Sequence, residues 1–178
     1  VMHINGNNYG NKYEWCDSSY LFGSYPHVWG WATWRKAWNY YDVCIDGWNE
    51  FRESGLIEGL DGKSHHHHSL RRRWDKVQSG SLDTWDYQWQ FAVMSQNGLA
   101  ASPRVNLISN IGYSSDATHT TNRNSGVANL PVDEIDSPIS HPSFVVPNPK
   151  VNQIYRQHML GDSWRQKISG AIKSFINN

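Results

Sequence analysis

Apolar positions recur with helical spacing in three stretches of this chain. Leu70, Trp74 and Val77 stand at i, i+4 and i+7 and predict a helix over 69–79 that stops at Gly80. Trp85, Trp89 and Ala92 repeat the spacing, with Phe91 and Val93 widening the face. Asp83 is placed to cap this second helix, and Gly98 to close it as its C′ residue. Trp34, Ala37, Trp38 and Tyr41 line a third face, on a helix expected from about Thr33 to Asp42, and this puts Trp34 and Trp38 in the core. A short helix fits around residues 48–54. A basic, weakly amphipathic one fits 154–176, with a break at Gly161 or Gly170.

Two segments read as strands. Residues 1–4 are apolar and end in Asn5-Gly6-Asn7-Asn8, a strong turn signal. RVNLISNIGY, from Arg104, carries Val105, Leu107 and Ile108 and reads as a buried strand. Residues 9–24 lack any period and read as a loop. Residues 111–126 are rich in Gly, Ser, Asn and Thr, a long loop of the kind that serves as a lid. Residues 131–149 hold five prolines and read as an extended surface segment. Strand, helices and strand joined by long loops predict an α/β fold, with too few strands for a complete doubly wound sheet.

Composition narrows this further. A chain of 178 residues buries one substantial core. Sixteen basic against sixteen acidic residues argue against an electrostatic nucleic-acid binder, and the one basic run, Arg71-Arg72-Arg73, suits a solvated helix face. The two cysteines, Cys16 and Cys44, lie in no metal-ligand pattern and are expected as free thiols. No apolar run is long enough to span a membrane. His65 to His68 sit in what reads as an exposed loop, where four consecutive imidazoles do not converge on one ion. The opening VMHI resembles a strand already in progress, so the chain is expected to be a fragment.

Ten tryptophans and nine tyrosines are the compositional anomaly. Trp29 and Trp31 flank Gly30, where a sharp turn needs a residue without a side chain. Indole faces suit sugar rings, so these two residues fit a ligand site or the core equally well. Asp86 falls in the first turn of the helix expected after Asp83, where free backbone N–H groups stabilise a carboxylate. There it could accept a proton, with Trp85, Tyr87 and Trp89 as the walls of a sugar pocket. An acidic residue at that place is also an ordinary capping feature. Asp116 and His119, three apart in a polar loop, could present carboxylate and imidazole to one ion or one phosphate group, or could simply be solvated. His3, Asn5, Asn7 and Asn8 cluster at a strand carboxyl end, where α/β folds bind ligands. Dinucleotide, P-loop, nucleophile-elbow and zinc-protease motifs are all missing, and so is any Asp-x-Asp.

HINGNN, YPHVWGWATWRKAW, DTWDYQW, NLISNIGYSSDATHT and HP, in that order, resemble bacterial sugar-nucleotide-dependent glycosyltransferases of the GT-A fold. That group includes proteins labelled family 2 glycosyltransferases, nucleotide-diphospho-sugar transferases and haemolytic HlpA-like proteins. A more distant similarity is to N-acetylglucosaminyltransferase I. The resemblance covers about residues 1–146 and implies the C-terminal, acceptor-side part of a GT-A, Rossmann-like domain, with 147–178 as a helical tail. It implies that Asp86 is the general base of an inverting transfer. Gly30 and Trp31 then lie beside acceptor and donor sugar, joined by Trp29, Trp85, Tyr87 and Asn7 as substrate-binding residues. The loop at 112–126 closes over the sugar nucleotide, and His119, with Asp116, completes coordination of Mn²⁺ or Mg²⁺. The implied partners are a nucleotide-sugar donor and a glycan acceptor. The implied location is cytoplasmic, with the basic C-terminal helix touching the inner face of the membrane. The family's Asp-x-Asp, which holds the metal on the donor diphosphate, lies in a half that would precede this segment. A carbohydrate-binding or interaction protein without catalysis is the other reading.

Overall fold

In a computed structural model the described residues are 1–60, 64–112 and 129–161. They form a small mixed sheet with helices packed beside it, so the chain has mixed α/β content. The strands are β1 (His3–Ile4), β2 (Tyr20–Gly23), β3 (Ala32–Thr33) and β4 (Ala100–Pro103). Their order across the sheet is β2-β4-β1-β3. The central pair, β1 and β4, is parallel, with His3 opposite Ala100. Both edge strands run antiparallel to their neighbours. The helices are α1 (Arg35–Trp38), α2 (Trp48–Glu53), α3 (Ser64–Gln78), α4 (Asp86–Ser95) and α5 (Pro149–Tyr155). A 3₁₀ turn spans Leu56–Gly59, and a π turn at Arg156–Gly161 follows α5.

The core lies where α3 and α4 meet. Leu70, Trp74 and Val77 are buried on α3, as their spacing predicts. Trp74 packs edge-on against Trp48 of α2 and Phe91 of α4. Each buried indole N–H finds an acceptor: Trp48 Nε1 donates to Asp75 Oδ1 at 2.9 Å and Trp74 Nε1 to the Tyr87 carbonyl at 3.1 Å. Pro149 opens α5 behind an Asn148 cap, a favoured start. This helix lies on β2, where a Cβ at Gly23 would come 2.9 Å from Val151 Cγ1, and it delivers Tyr155 into the core.

Several expectations need correction. Residues 9–24 are not all loop, because β2 occupies Tyr20–Gly23 and pairs with β4 along its whole length. The strand expected at 105–108 lies earlier, at Ala100–Pro103, and Val105 makes only an isolated bridge to Lys12. The C-terminal helix begins at Pro149 rather than Ile154. The histidine run is helical: α3 starts at Ser64, His66 and His67 are buried, and His67 Nε2 donates to the Leu60 carbonyl.

The tryptophan-rich helix shrinks to the single turn of α1. Trp34 stands at its N-cap in extended conformation, so the four apolar positions never form one helical face. Trp34 and Trp38 accordingly remain 46% and 40% exposed instead of entering the core. Gly98 is not the C′ residue of α4. Asn97 takes that place with φ of +50°, its N–H bonding to Met94 O, while the Gly98 N–H reaches Val93 O, a Schellman closure. A glycine is needed at 98 for space, since a Cβ there would sit 2.5 Å from Met2 Sδ and 2.8 Å from Val93 O. Both cysteines are free, Cys16 buried and Cys44 exposed.

Candidate functional site

Asp86 is the first residue of α4. The N-cap position belongs to Trp85, not to Asp83, and no side chain caps the helix from there. The Asp86 carboxylate instead caps locally. Its Oδ1 accepts the Tyr87 backbone N–H at 2.9 Å and the Thr84 hydroxyl. Oδ2 takes no hydrogen bond from any described residue. The carboxylate is therefore oriented through one oxygen and leaves the other available.

An aromatic face adjoins it. Trp85 stacks on Trp31 with ring centroids 5.6 Å apart, and Trp31 stacks on His3 at 5.2 Å and 14°. Trp38 lies 6.0 Å from Trp31 and stacks flat on Tyr41 at 4.5 Å. Trp85 is 45% exposed, so one end of this stack is open to solvent. Behind it, Trp89 is fully buried and ties the face to the sheet, its Nε1 donating to His3 Nδ1 at 2.9 Å. Burial raises the Tyr41 hydroxyl pKa above its ordinary range, reinforced by the nearby Asp42 and Asp86 carboxylates.

Beneath the aromatic face runs a buried polar spine. A carbonyl can only accept and an indole N–H can only donate, so the two bonds of His3 fix its tautomer. Nε2–H donates to the His27 carbonyl at 2.8 Å and Nδ1 accepts from Trp89. Both histidines are neutral. Burial pushes His3 down to about 4 and His27 to about 3, the latter helped by His3. Asn5 receives the His27 N–H and donates to Ser102 and to the Tyr25 carbonyl. The His27 ring stacks on Tyr155, whose hydroxyl accepts from Gln90 Nε2 at 2.9 Å. Burial raises that hydroxyl to about 12, with Arg73 and the Gln90 bond opposing the shift.

The structure brings Trp31, Trp85 and Asp86 together and separates the rest. Gly30 makes the expected sharp turn with φ of +55°. That turn sends Trp29 the other way, edge-on to Tyr9 and against the core. Tyr87 is half-buried and packs against the core, with the Arg73 guanidinium 5.0 Å above its ring. Successive helical residues turn by about 100°, so residues 85, 87 and 89 cannot share one surface. Asn7 is wholly buried rather than presented in an open turn. Asp116, His119 and the loop from 113 onward lie outside the described residues. Among the described residues no three His, Cys, Asp or Glu side chains converge as a metal site.

Thr84, Tyr41 and Tyr155 were missed from sequence. Thr84 carried a readable signal, a hydroxyl two residues before an aspartate at a helix start. Tyr155 carried none, since its partners Gln90 and His27 are 65 and more residues away. A cavity of about 410 Å³ lies elsewhere, between the sheet and the proline-rich segment, lined by Ile4, Phe22, Trp34, Ile135 and Ile139 among others. It presents no carboxylate, imidazole or lysine to do chemistry, so the Asp86 surface is the stronger candidate site.

Comparison with protein-family models, with curated proteins and with solved structures returns no match.

Proposed function

We propose that this segment is the acceptor side of a glycosyltransferase of GT-A type, with Asp86 as the general base of an inverting transfer. One observation carries the reading: a carboxylate with one oxygen tethered and one free stands at the edge of a solvent-open indole stack. Stacked indoles hold the C–H face of a sugar ring, and a hydroxyl of that sugar would then lie toward the carboxylate. The free oxygen takes the hydroxyl proton as the alkoxide-like oxygen attacks the anomeric carbon of a nucleotide-diphosphate sugar, whose bond to the phosphate oxygen breaks so that the nucleoside diphosphate leaves. The sequence resemblance to sugar-nucleotide-dependent transferases supports the same assignment. No helix among the described residues is long and apolar enough to cross a membrane.

The second reading, a carbohydrate-binding protein without catalysis, rests on the same indole stack, which can bind a sugar with no help from Asp86. Asp86→Asn in the full-length protein separates the two. Transfer should fall by about 10²–10⁴ while glycan binding persists. Glycan binding without transfer in the wild-type protein selects the second reading. Full transfer by the variant removes Asp86 from the chemistry.

A further inference from the structure

A cavity of about 300 Å³ lies between α2 and α4, and no member of the indole stack lines it. Its walls are aromatic and acidic. Tyr40, Phe51 and Phe91 supply rings, Asp42 and Glu50 supply carboxylates, and no lysine, arginine or histidine lines it. Asp42 is held by its own turn: Oδ1 accepts the Cys44 N–H at 2.9 Å and Oδ2 the Asp46 N–H at 2.7 Å. Those neutral donors leave its charge uncancelled and a further lone pair on each oxygen. Glu50 is exposed on α2, and neither carboxylate forms an ion pair with any described residue. Two acids alone would be a solvated rim, but Gln88 adds a different kind of group. It lines the same cavity at 4% exposure, and its buried Oε1 has no hydrogen-bond partner among the described residues. The amide cannot turn over to correct this. Its Nε2 donates to the Thr84 carbonyl and, at 3.4 Å, to the Val43 carbonyl, so a flipped amide would set oxygen against two oxygens. Oε1 is therefore the fixed negative end of an unquenched dipole in the cavity wall.

Native folds leave few buried acceptors without a donor, because each forfeits its hydration without return. An unquenched carbonyl dipole beside two carboxylates favours a positive charge in the cavity. The rings favour a hydrocarbon body, and aromatic faces also attract a cation. A bare metal ion suits the walls poorly. Hard cations take six or more oxygen ligands, and no three His, Cys, Asp or Glu side chains converge among the described residues. We propose that this cavity binds a small organic cation, a primary ammonium on a short alkyl body. Asp42 and Glu50 supply the counter-charge, the Gln88 dipole deepens it, and Phe51 and Phe91 cover the alkyl part. A volume of about 300 Å³ is at the small end of ligand sites, which suits such a group. It comes either from a free amine or from the lysine side chain of a protein. The site does not rest on the transferase reading. Gln88 and Asp86 are two residues apart on α4, so they project about 200° apart around the helix.

The test is an NMR titration of the ¹⁵N-labelled full chain near neutral pH with n-pentylamine, using 1-pentanol as a neutral probe of the same shape. Pentylamine should shift the backbone amides of α2 and of residues 88–96 saturably, with a Kd of about 1 mM, since so few atoms limit the affinity. Pentanol should bind at least tenfold more weakly. Glu50→Gln removes one charge from an exposed, unpaired side chain, so it should melt like wild type and bind the amine at least threefold more weakly, with pentanol unchanged. Gln88→Met, close in length and without the dipole, should also weaken the amine; if the loss of its Nε2 bonds unfolds it, Glu50→Gln still decides. Nα-acetyl-lysine amide separates the two sources. Binding tighter than pentylamine assigns the site to a lysine side chain, and weaker binding assigns it to a free amine. The proposal is overturned if pentylamine shifts no amide of these segments, if pentanol binds as tightly, or if Glu50→Gln binds the amine as wild type does. Neither probe nor variant involves Asp86, so this site and the transferase reading stand or fall separately.

Discussion

Acidification should destabilise this protein through His3 at pH values where ordinary carboxylates are still ionised. His3 is wholly buried, its Nδ1 engaged by the Trp89 indole and its Nε2–H by the His27 carbonyl. A second proton can only go on Nδ1, where it would face the Trp89 N–H donor instead of accepting from it. In the unfolded chain the imidazole takes that proton near pH 6.5, but in the fold only near pH 4. Between those values the unfolded state binds more protons than the native state, so stability falls as pH falls. The contribution is intact above pH 6.5, erodes from there toward pH 4, and is lost below. One histidine shifted this far costs about 3 kcal/mol by pH 4. Against a total of roughly 5–15 kcal/mol for a domain, that is a large fraction. His27, depressed further still, adds to the slope in the same direction. Urea titrations at intervals from pH 7.5 to 4.5 would read it. With a slope of roughly 2 kcal/mol per molar urea, the midpoint should drop by about 1 M or more across that range. His3→Gln, less stable at neutral pH, should show a clearly shallower dependence, because His27 and the partly buried His158, both lowered by burial, are left to supply the slope. A midpoint level from pH 6.5 to 4.5 in wild type, or an equal slope in His3→Gln, would refute the neutral, doubly bonded His3.

Two further outcomes check the packing. Trp89→Ala should cost about 3–5 kcal/mol, since the ring is fully buried and its loss also strips His3 of a donor, whereas Trp34→Ala, at a half-exposed N-cap, should cost roughly 1 kcal/mol; equal melting losses would contradict the burial difference. Gly30→Ala should destabilise by several kcal/mol, because the φ of +55° is strained for alanine and its methyl would meet Ile108 Cγ1 at 2.4 Å, and a melting temperature within a degree or two of wild type would show that the turn is not closed as described.

Periodicity read α3 well because it buries one long face, whereas α4 is buried on every side from Gln88 to Met94 and was legible from its run of apolar residues. Leu70, Trp74, Val77, Trp89 and Ala92 are all inside. It misread α1 for a converse reason. Trp34 and Trp38 are four apart and look like one face, yet the chain enters from β3 in extended form and the helix lasts only four residues. The strands were harder. Ala100-Ala101-Ser102-Pro103 has little intrinsic preference for extended structure, and β4 exists because it lies between β1 and β2, which supply its partners. Proline ends it at the last paired position. Of the candidate site, the local part was legible: Trp85 and Asp86 are sequence neighbours, and Gly30 announced the turn that aims Trp31. The long-range part was not. Nothing in the spacing of His3, His27 and Tyr155 shows that the first two share a hydrogen bond or that the last stacks on the second.

Rigidity of the candidate site follows from the way its loops interlock. A Cβ on Gly6 would fall 1.9 Å from the Gly30 carbonyl oxygen, and a Cβ on Gly30 would fall 2.4 Å from Ile108 Cγ1, so three backbone segments meet with no room for a side chain. The turn that carries Asn7 and the turn that carries Trp31 therefore cannot move independently. Trp31 in turn rests on His3 and Trp89, which join the central strand to α4, and α4 begins with Asp86. An indole face and a carboxylate held on one such frame keep a fixed separation without a ligand present. Under the proposed transferase reading, this frame would hold the base in place against the bound sugar. It also explains why so much of the polar inventory of this chain, His3, Asn5, Asn8, Ser102 and Asn106, is buried in holding loops to strands rather than spent on the surface.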